Sequence, residues 1–268
     1  MRQMWRDFHH RIWGVGLTDD QLREFGERGF LVIPGVVDET FLTAADVEID
    51  ALLDADPVAS GTVGKHFWFL KPEELPAALA ALDDSGARAI AEELTAPEPL
   101  RLILNHIQIA LNIPPYAHRP SGPHIDGHVP QHAGQQDPNS FTLLAGIFLS
   151  DESAVDMGSA WVWPGSHLVH QRLFRERGPD VLMATSGHIT MLPDPPVLGP
   201  PTPALGRRGD LLLAHFLLGH NTGGNLSSET RRMLYYRLGC PDHAARWRAT
   251  FLDPLREYEP VRRAMMSA

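Results

Sequence analysis

Cysteine is nearly absent: among 268 residues there is one, Cys240. A single thiol excludes an internal disulfide framework and a multi-cysteine zinc site, and it suits a reducing compartment. Long apolar runs are missing too. Charge, Pro or Gly interrupts each stretch well short of the ~20 residues that a membrane-crossing helix needs. The opening residues, MRQMWRDFHHRIWGVG, lack the apolar region of a signal peptide. They read as an arm that packs on the domain or frays, and the protein is expected in the cytoplasm. Nor is there an excess of positive charge: 23 Lys+Arg face 33 Asp+Glu, a formal net charge of -10. That balance gives no global attraction for nucleic acid or anionic membrane, so a small molecule is the expected partner. Oligomeric state is left open.

What is present is ordinary globular composition, 43% hydrophobic and 21% charged, with 14 His and 23 each of Pro and Gly. The chain is long enough for a sizeable core without staples. Its first third reads helical. Thr18 and Gln21 form a capping-box pattern, Gly29 is a stop, and Phe30–Ile33 is a short strand. Asp38 can cap a second helix through Leu53, and residues 72–96 carry one or two more, broken at Gly86. After Pro97 the texture changes. Leu100–Leu111, residues 140–149, Ala160–Trp163, Leu211–Phe216 and Arg231–Leu238 read as strands, with a loop-like stretch over 112–137. Helices first and strands later, without a linker, predict one α+β domain, mainly β, over residues 1–268. Its helical part spans about 17–97, its sandwich or barrel core about 100–240, and a C-terminal wrap about 241–268.

The hexapeptide Pro123-His124-Ile125-Asp126-Gly127-His128 is the most informative. Pro123, Gly127 and Pro130 disfavour a helix, and in extended chain His124 and Asp126 point to one side. A third ligand from a distant strand would complete two imidazoles and a carboxylate, the set that leaves open positions on Fe(II). The bland alternative is a surface turn in which Asp126 orients a histidine. Further on, an apolar strand containing His215 enters a polar loop at His220. Core histidines bonded to backbone are common, so His215 is read as core. Neighbouring strand residues face opposite ways, so one of Arg231 and Arg232 faces inward. An inward Arg could grip a dicarboxylate through its planar fork. Arg237 shares the face of Arg231 and is read as a salt bridge at the strand end. Trp161 and Trp163 are read as packing. Gln108 is a candidate pocket residue; Asn105 would face the other way. Lys65 and His66 read as a solvated loop, with a lid as the alternative. His106, His118, His132, His167 and His170 read as surface or packing residues, and His128 as a residue of the pocket mouth.

Four stretches together resemble the phytanoyl-CoA dioxygenase family of Fe(II)/2-oxoglutarate-dependent oxygenases: residues 17–38, PHIDGH (123–128), MGSAWVWPGSH (157–167) and GDLLLAHFLLGHNTGGNLSSETRR (209–232). The resemblance implies a double-stranded β-helix (jelly-roll, cupin-like) core with helices packed on one side. It implies metal ligation by His124, Asp126 and His220. It favours Arg231 over Arg232 for the distal carboxylate of 2-oxoglutarate, helped by Thr222 where the family often has Ser. Gln108 is kept as a further cosubstrate contact. Gly146 replaces a Trp common in the family and is expected to open space nearby. The implied chemistry uses Fe(2+), 2-oxoglutarate and O2, releases succinate and CO2, and hydroxylates a small organic, secondary-metabolite-like substrate. Halogenating relatives replace the carboxylate that Asp126 retains. Two other readings stand beside this one: a non-catalytic jelly-roll binding protein, and a cupin-type metalloenzyme that uses no keto acid.

Overall fold

The computed structural model describes residues 16–126, 138–184 and 195–267, apart from the side chains of 104, 105, 183 and 184. The N-terminal arm, Gly127, His128, Pro130, His132 and the side chain of Asn105 lie outside the described residues.

Helix α1 (Asp19–Arg28) starts as its sequence dictates: the Thr18 hydroxyl accepts from the Gln21 amide at 3.2 Å, and the Gln21 side chain accepts from the Thr18 amide at 2.9 Å. It stops at Gly29, whose φ of 81° is left-handed. Strand β1 (Phe30–Ile33) follows, then α2 (Glu39–Ala55). Asp38 occupies the N-cap position of α2 but makes no side-chain cap bond; its carbonyl takes the Phe41 and Leu42 amides instead. Next come β2 (Gly64–Leu70), α3 (Pro76–Asp83) and α4 (Ala87–Thr95), the last two parted at Gly86. The remaining strands and α-helices are β3 (Arg101–Ile113), β4 (Leu143–Phe148), β5 (Ala160–Val162), α5 (Ser166–Arg177), β6 (Thr202–Pro203), β7 (Leu211–His215), β8 (His220–Thr222), β9 (Arg231–Gly239), α6 (His243–Leu252) and α7 (Glu259–Met266).

Six strands form one antiparallel sheet in the order β1-β7-β4-β9-β3-β2, and β6-β5-β8 form a second. The architecture is mixed helix and antiparallel sheet, as the sequence predicts. The two faces of β9 have different fates because side chains alternate. Leu234, Tyr236 and Leu238 are buried in the core, and the Tyr236 hydroxyl donates to the Ala78 carbonyl of α3 at 2.6 Å. Arg231, Met233, Tyr235 and Arg237 take the other face, which carries the site.

Several boundaries and one element class differ from expectation. Lys65 and His66 belong neither to a loop nor to a lid. They lie in edge strand β2, paired along its length with β3. The C-terminal wrap is helical, and its α6 closes a buried network: His243 Nδ1 meets Glu257 at 2.7 Å and its Nε2 meets the Ser140 hydroxyl at 2.9 Å. Among the described residues no helix is long and apolar enough to cross a membrane.

Candidate metal centre and active site

His124 and His220 are brought together by backbone. Each donates its amide to the other's carbonyl, at 3.0 and 2.9 Å, so an isolated antiparallel bridge fixes the two residues face to face. Their rings lie 4.4 Å apart between centroids. Two residues beyond His124, Asp126 returns to the same side. Its Oδ1 stands 3.3 Å from His124 Nε2 and 3.6 Å from His220 Nε2. One ligand atom from each residue lies within 4.8 Å of the others. An octahedral ion with bonds of ~2.1 Å sets adjacent ligand atoms ~3 Å apart, so the spacing fits a metal on one side of all three groups.

The charge states of His124 and Asp126 suit a cation. Burial and the neighbouring His220 lower the His124 pKa, which keeps that imidazole neutral. Burial works against an ionised Asp126, but Arg237, His220 and the hydrogen bonds outweigh it and hold the carboxyl well below its usual range. For His220, burial is outweighed by Asp126 and the value is raised. His220 Nδ1 donates to the Leu218 carbonyl at 3.0 Å, which leaves Nε2 as the lone-pair nitrogen. His215 has no such freedom. The Leu217 amide donates to its Nδ1 at 3.0 Å and its Nε2 donates to the Pro254 carbonyl at 2.8 Å. Both ring nitrogens are engaged, and burial drives its pKa far down. It is a core histidine, as read. His167 and His170 are likewise buried and bonded to backbone carbonyls.

Arg237 does more than the salt bridge expected of it. Its Nη2 donates to Asp126 Oδ2, and its Nη1 to Gln108 Oε1 at 3.0 Å. Gln108 therefore serves the centre through Arg237. With Oδ2 held, Asp126 presents Oδ1 to the histidines. Replacing Arg237 with Gln is expected to weaken divalent-metal affinity by about 10–100-fold, the usual cost of losing an outer partner of a ligand. Chelator competition measures this; an unchanged affinity would mean that something else orients Asp126.

Arg231 faces inward and is buried, whereas Arg232 turns outward to Asp46 and Asp50. Arg231 is not solitary. Its Nε donates to Glu152 Oε1 at 3.0 Å and its Nη2 to the Tyr235 hydroxyl at 2.7 Å. Asn112 lies opposite it on β3 and donates to the Gly223 carbonyl at 2.9 Å. Thr222 precedes that glycine and sits two residues after His220 on β8, hence on the same strand face. Asn225 ties the turn down by donating to the Asn112 carbonyl at 2.7 Å.

Gly146 does not open space. A Cβ there would lie 2.7 Å from Met233 Cε and 3.0 Å from the Tyr235 ring, so those two side chains already fill the room that a larger residue would take. Gly146→Ala must therefore shift the Met233 methyl and press on the ring that holds Arg231. We expect the half-saturating concentration of 2-oxoglutarate to rise several-fold, by roughly 1 kcal/mol of over-packing, with metal affinity unchanged. Titration of both ligands checks this. A loss of metal binding instead would show that the strain spreads to Asp126.

Trp163 is buried, as expected of a packing residue, whereas Trp161 is half-buried and sits under the Arg119 guanidinium, 5.5 Å from ring centroid to Cζ. Sequence reasoning missed Glu152 and Tyr235 as partners of Arg231, and Phe69 as an exposed aromatic beside Arg237. Alternation in RRMLYYRL does place Tyr235 with Arg231. Glu152, in the polar run Asp151-Glu152-Ser153, carries no signal of burial.

An antiparallel fold with a two-histidine, one-carboxylate centre and a buried arginine beyond it defines a class: non-haem metal oxygenases that use a keto-acid cosubstrate. Residues 25–233 match the family Phytanoyl-CoA dioxygenase (PhyH). The chain belongs to this family of Fe(II)- and 2-oxoglutarate-dependent oxygenases. Among solved structures it is similar to HygX from Streptomyces hygroscopicus with nickel and 2-oxoglutarate bound, at 23% identity and TM-score 0.56, covering 85% of this chain and 88% of that one. It is also similar to SnoK, a non-haem α-ketoglutarate-dependent carbocyclase from nogalamycin biosynthesis (22%, TM-score 0.59, covering 86% and 90%). A third is the epimerase SnoN in complex with Fe3+, α-ketoglutarate and nogalamycin RO (19%, TM-score 0.58, covering 83% of each). No curated protein matches the chain at a significant level.

Proposed function

We propose that His124, Asp126 and His220 hold Fe(II), that Arg231 with Thr222 binds the distal carboxylate of 2-oxoglutarate, and that the enzyme oxidises a small, partly apolar organic molecule of secondary-metabolite type. The observation that carries this is the convergence of the three ligand side chains from a loop and a strand 94 positions apart in sequence. In this reading the two sheets are the halves of a jelly roll within one domain, and the centre lies between them.

Bound iron supplies the activation of dioxygen, coupled to conversion of 2-oxoglutarate into succinate and CO2. The side chains fix everything else. His124 offers a neutral nitrogen, His220 has Nε2 left for the metal once that nitrogen gives up its proton, and Asp126 offers one oxygen because Arg237 occupies the other. Arg231 supplies a desolvated cation for a carboxylate, where charge-assisted bonds are strong. Phe67 and Phe69 project from the edge strand, with Phe69 53% exposed and its ring 6.0 Å from Arg237 Cζ. Such exposed aromatics suit an apolar portion of a substrate. HygX has been solved with hygromycin B, and SnoN with nogalamycin RO. Those two relatives support a natural-product scaffold here. The retained Asp126 favours hydroxylation or a related oxidation over halogenation.

The test is stoichiometric. Aerobic incubation with Fe(II), 2-oxoglutarate and candidate substrates is expected to release succinate, with slow uncoupled release in their absence. Iron and 2-oxoglutarate binding without any succinate would instead support a binding protein. Iron binding that ignores 2-oxoglutarate would support a cupin-type enzyme without a keto acid.

A further inference from the structure

The buried pair behind the proposed cosubstrate site has an unusual balance of charge. Glu152 is 0% exposed and Arg231 2%. The bond from Arg231 Nε uses Glu152 Oε1, while Oε2 is buried without a partner among the described residues. Nη2 is taken by the Tyr235 hydroxyl and, at 3.0 Å, by Met233 Sδ. Nη1 has no hydrogen bond to the described residues. Asn112 Oδ1 and Ser159 Oγ are also buried and unpartnered, and Gly158 places the Arg231 and Asn112 stems against one backbone segment. Buried polar atoms left unpaired cost about 1–3 kcal/mol each, so the lone acceptor Glu152 Oε2 behind Arg231 calls for a proton or a donor.

A guest carboxylate at Nη1 would put two negative groups on one guanidinium. In a buried site, two close carboxylates retain one proton between them. The lone acceptor Oε2 becomes a donor when Glu152 is protonated, and the guest is an acceptor. Resting on Arg231 as the cosubstrate anchor, we infer that Glu152 is a specificity-determining residue for 2-oxoglutarate: the cosubstrate binds to the form in which Glu152 carries a proton, shared with the distal carboxylate over Arg231. The proton comes from solvent on binding and returns when the product leaves.

The surroundings agree. Burial pushes Glu152 up to about 7 against the pull of Arg231, and Asp151 adds to the rise. From β9 the titratable neighbour is Tyr235, whose pKa burial raises, so it stays neutral. From β2, Lys65 lies in the same cross-sheet row, beside Asn112. Farther along the same face stand Arg237 and, paired with it, Asp126. Below pH about 7 Glu152 already carries the proton, and cosubstrate affinity is flat. Above it, each binding event takes up a proton, and affinity falls by up to about ten-fold per pH unit.

The experiment is calorimetry of 2-oxoglutarate binding to the Ni(II)-loaded protein at about pH 8, in two buffers of different protonation enthalpy. Uptake approaching one proton per cosubstrate is expected for the wild type, and almost none for Glu152→Gln, whose affinity no longer varies with pH. Should Glu152→Gln not fold, an infrared difference spectrum of the wild type is expected to gain a protonated-carboxyl band on binding, shifted by isotopic labelling of Glu. Binding with no proton uptake, or uptake that survives Glu152→Gln, overturns the role of Glu152 while leaving the cosubstrate site in place. Absence of 2-oxoglutarate binding at every pH overturns the Arg231 assignment itself.

Discussion

His220→Ala abolishes the visible charge-transfer absorption that anaerobic Fe(II) and 2-oxoglutarate give with the wild type, and His215→Ala leaves it in place. The two residues are five apart, both are imidazoles, and both are largely enclosed, so burial does not separate them. Their second nitrogens do. The Leu218 carbonyl takes Nδ1 of His220 and orients Nε2 toward Asp126. Two backbone groups consume both nitrogens of His215. Losing His220 removes one of three ligands and the ring that faces His124 across the backbone bridge. Losing His215 leaves a hole among Phe25, Phe216 and Tyr258 and strands two backbone groups. That cost falls on stability, at roughly 3 kcal/mol, and is read as a lower melting temperature. Absorption titrations on both variants decide the matter. Loss of the band in His215→Ala with its retention in His220→Ala would reverse the ligand assignment.

Arg231→Ala raises the 2-oxoglutarate requirement on the order of 100-fold, since it removes charge-assisted bonds worth about 1.5–3 kcal/mol to a desolvated carboxylate. Arg232→Ala barely changes it. Arg232 holds Asp46 and Asp50 at a partly exposed site, where ion pairs contribute about 0–1 kcal/mol. Removal of Arg231 alone also strands Glu152, and breaking a buried pair costs about 3–5 kcal/mol of stability. The double change Arg231→Gln with Glu152→Gln separates the two effects. It is expected to recover much of the stability and none of the affinity. Steady-state titration of 2-oxoglutarate together with thermal melts gives both readouts; recovery of affinity in the double variant would remove Arg231 from the cosubstrate site.

What could be read from residues alone follows the range of the interactions. Local rules worked where the cause is local. Thr18 and Gln21 cap α1, Gly29 ends it, and alternation in RRMLYYRL separates Arg231 from Arg232. The same alternation puts Arg237 on the site's face, yet its partner Asp126 lies 111 residues away, and no spacing rule reaches that far. Lys65 and His66 read as loop because the Gly neighbours and mixed polarity of GKHFWFL (64–70) hide the period. The segment's strand character comes from pairing with β3, and as an edge strand it can leave Phe69 exposed. Glu152 is buried only because its segment bridges to Gly206, whose carbonyl accepts the Glu152 amide at 2.9 Å. The expected gap at Gly146 failed for a similar reason: whether a missing side chain leaves a hole depends on cross-strand neighbours, here Met233 and Tyr235.

Anomalous diffraction from crystals grown with Mn(II) and 2-oxoglutarate tests the central claim most directly. The account predicts one strong peak in contact with His124 Nε2, Asp126 Oδ1 and His220 Nε2, and keto-acid density running from it toward Arg231. A peak ligated by any other set of side chains, or cosubstrate density that ends away from Arg231, would contradict it.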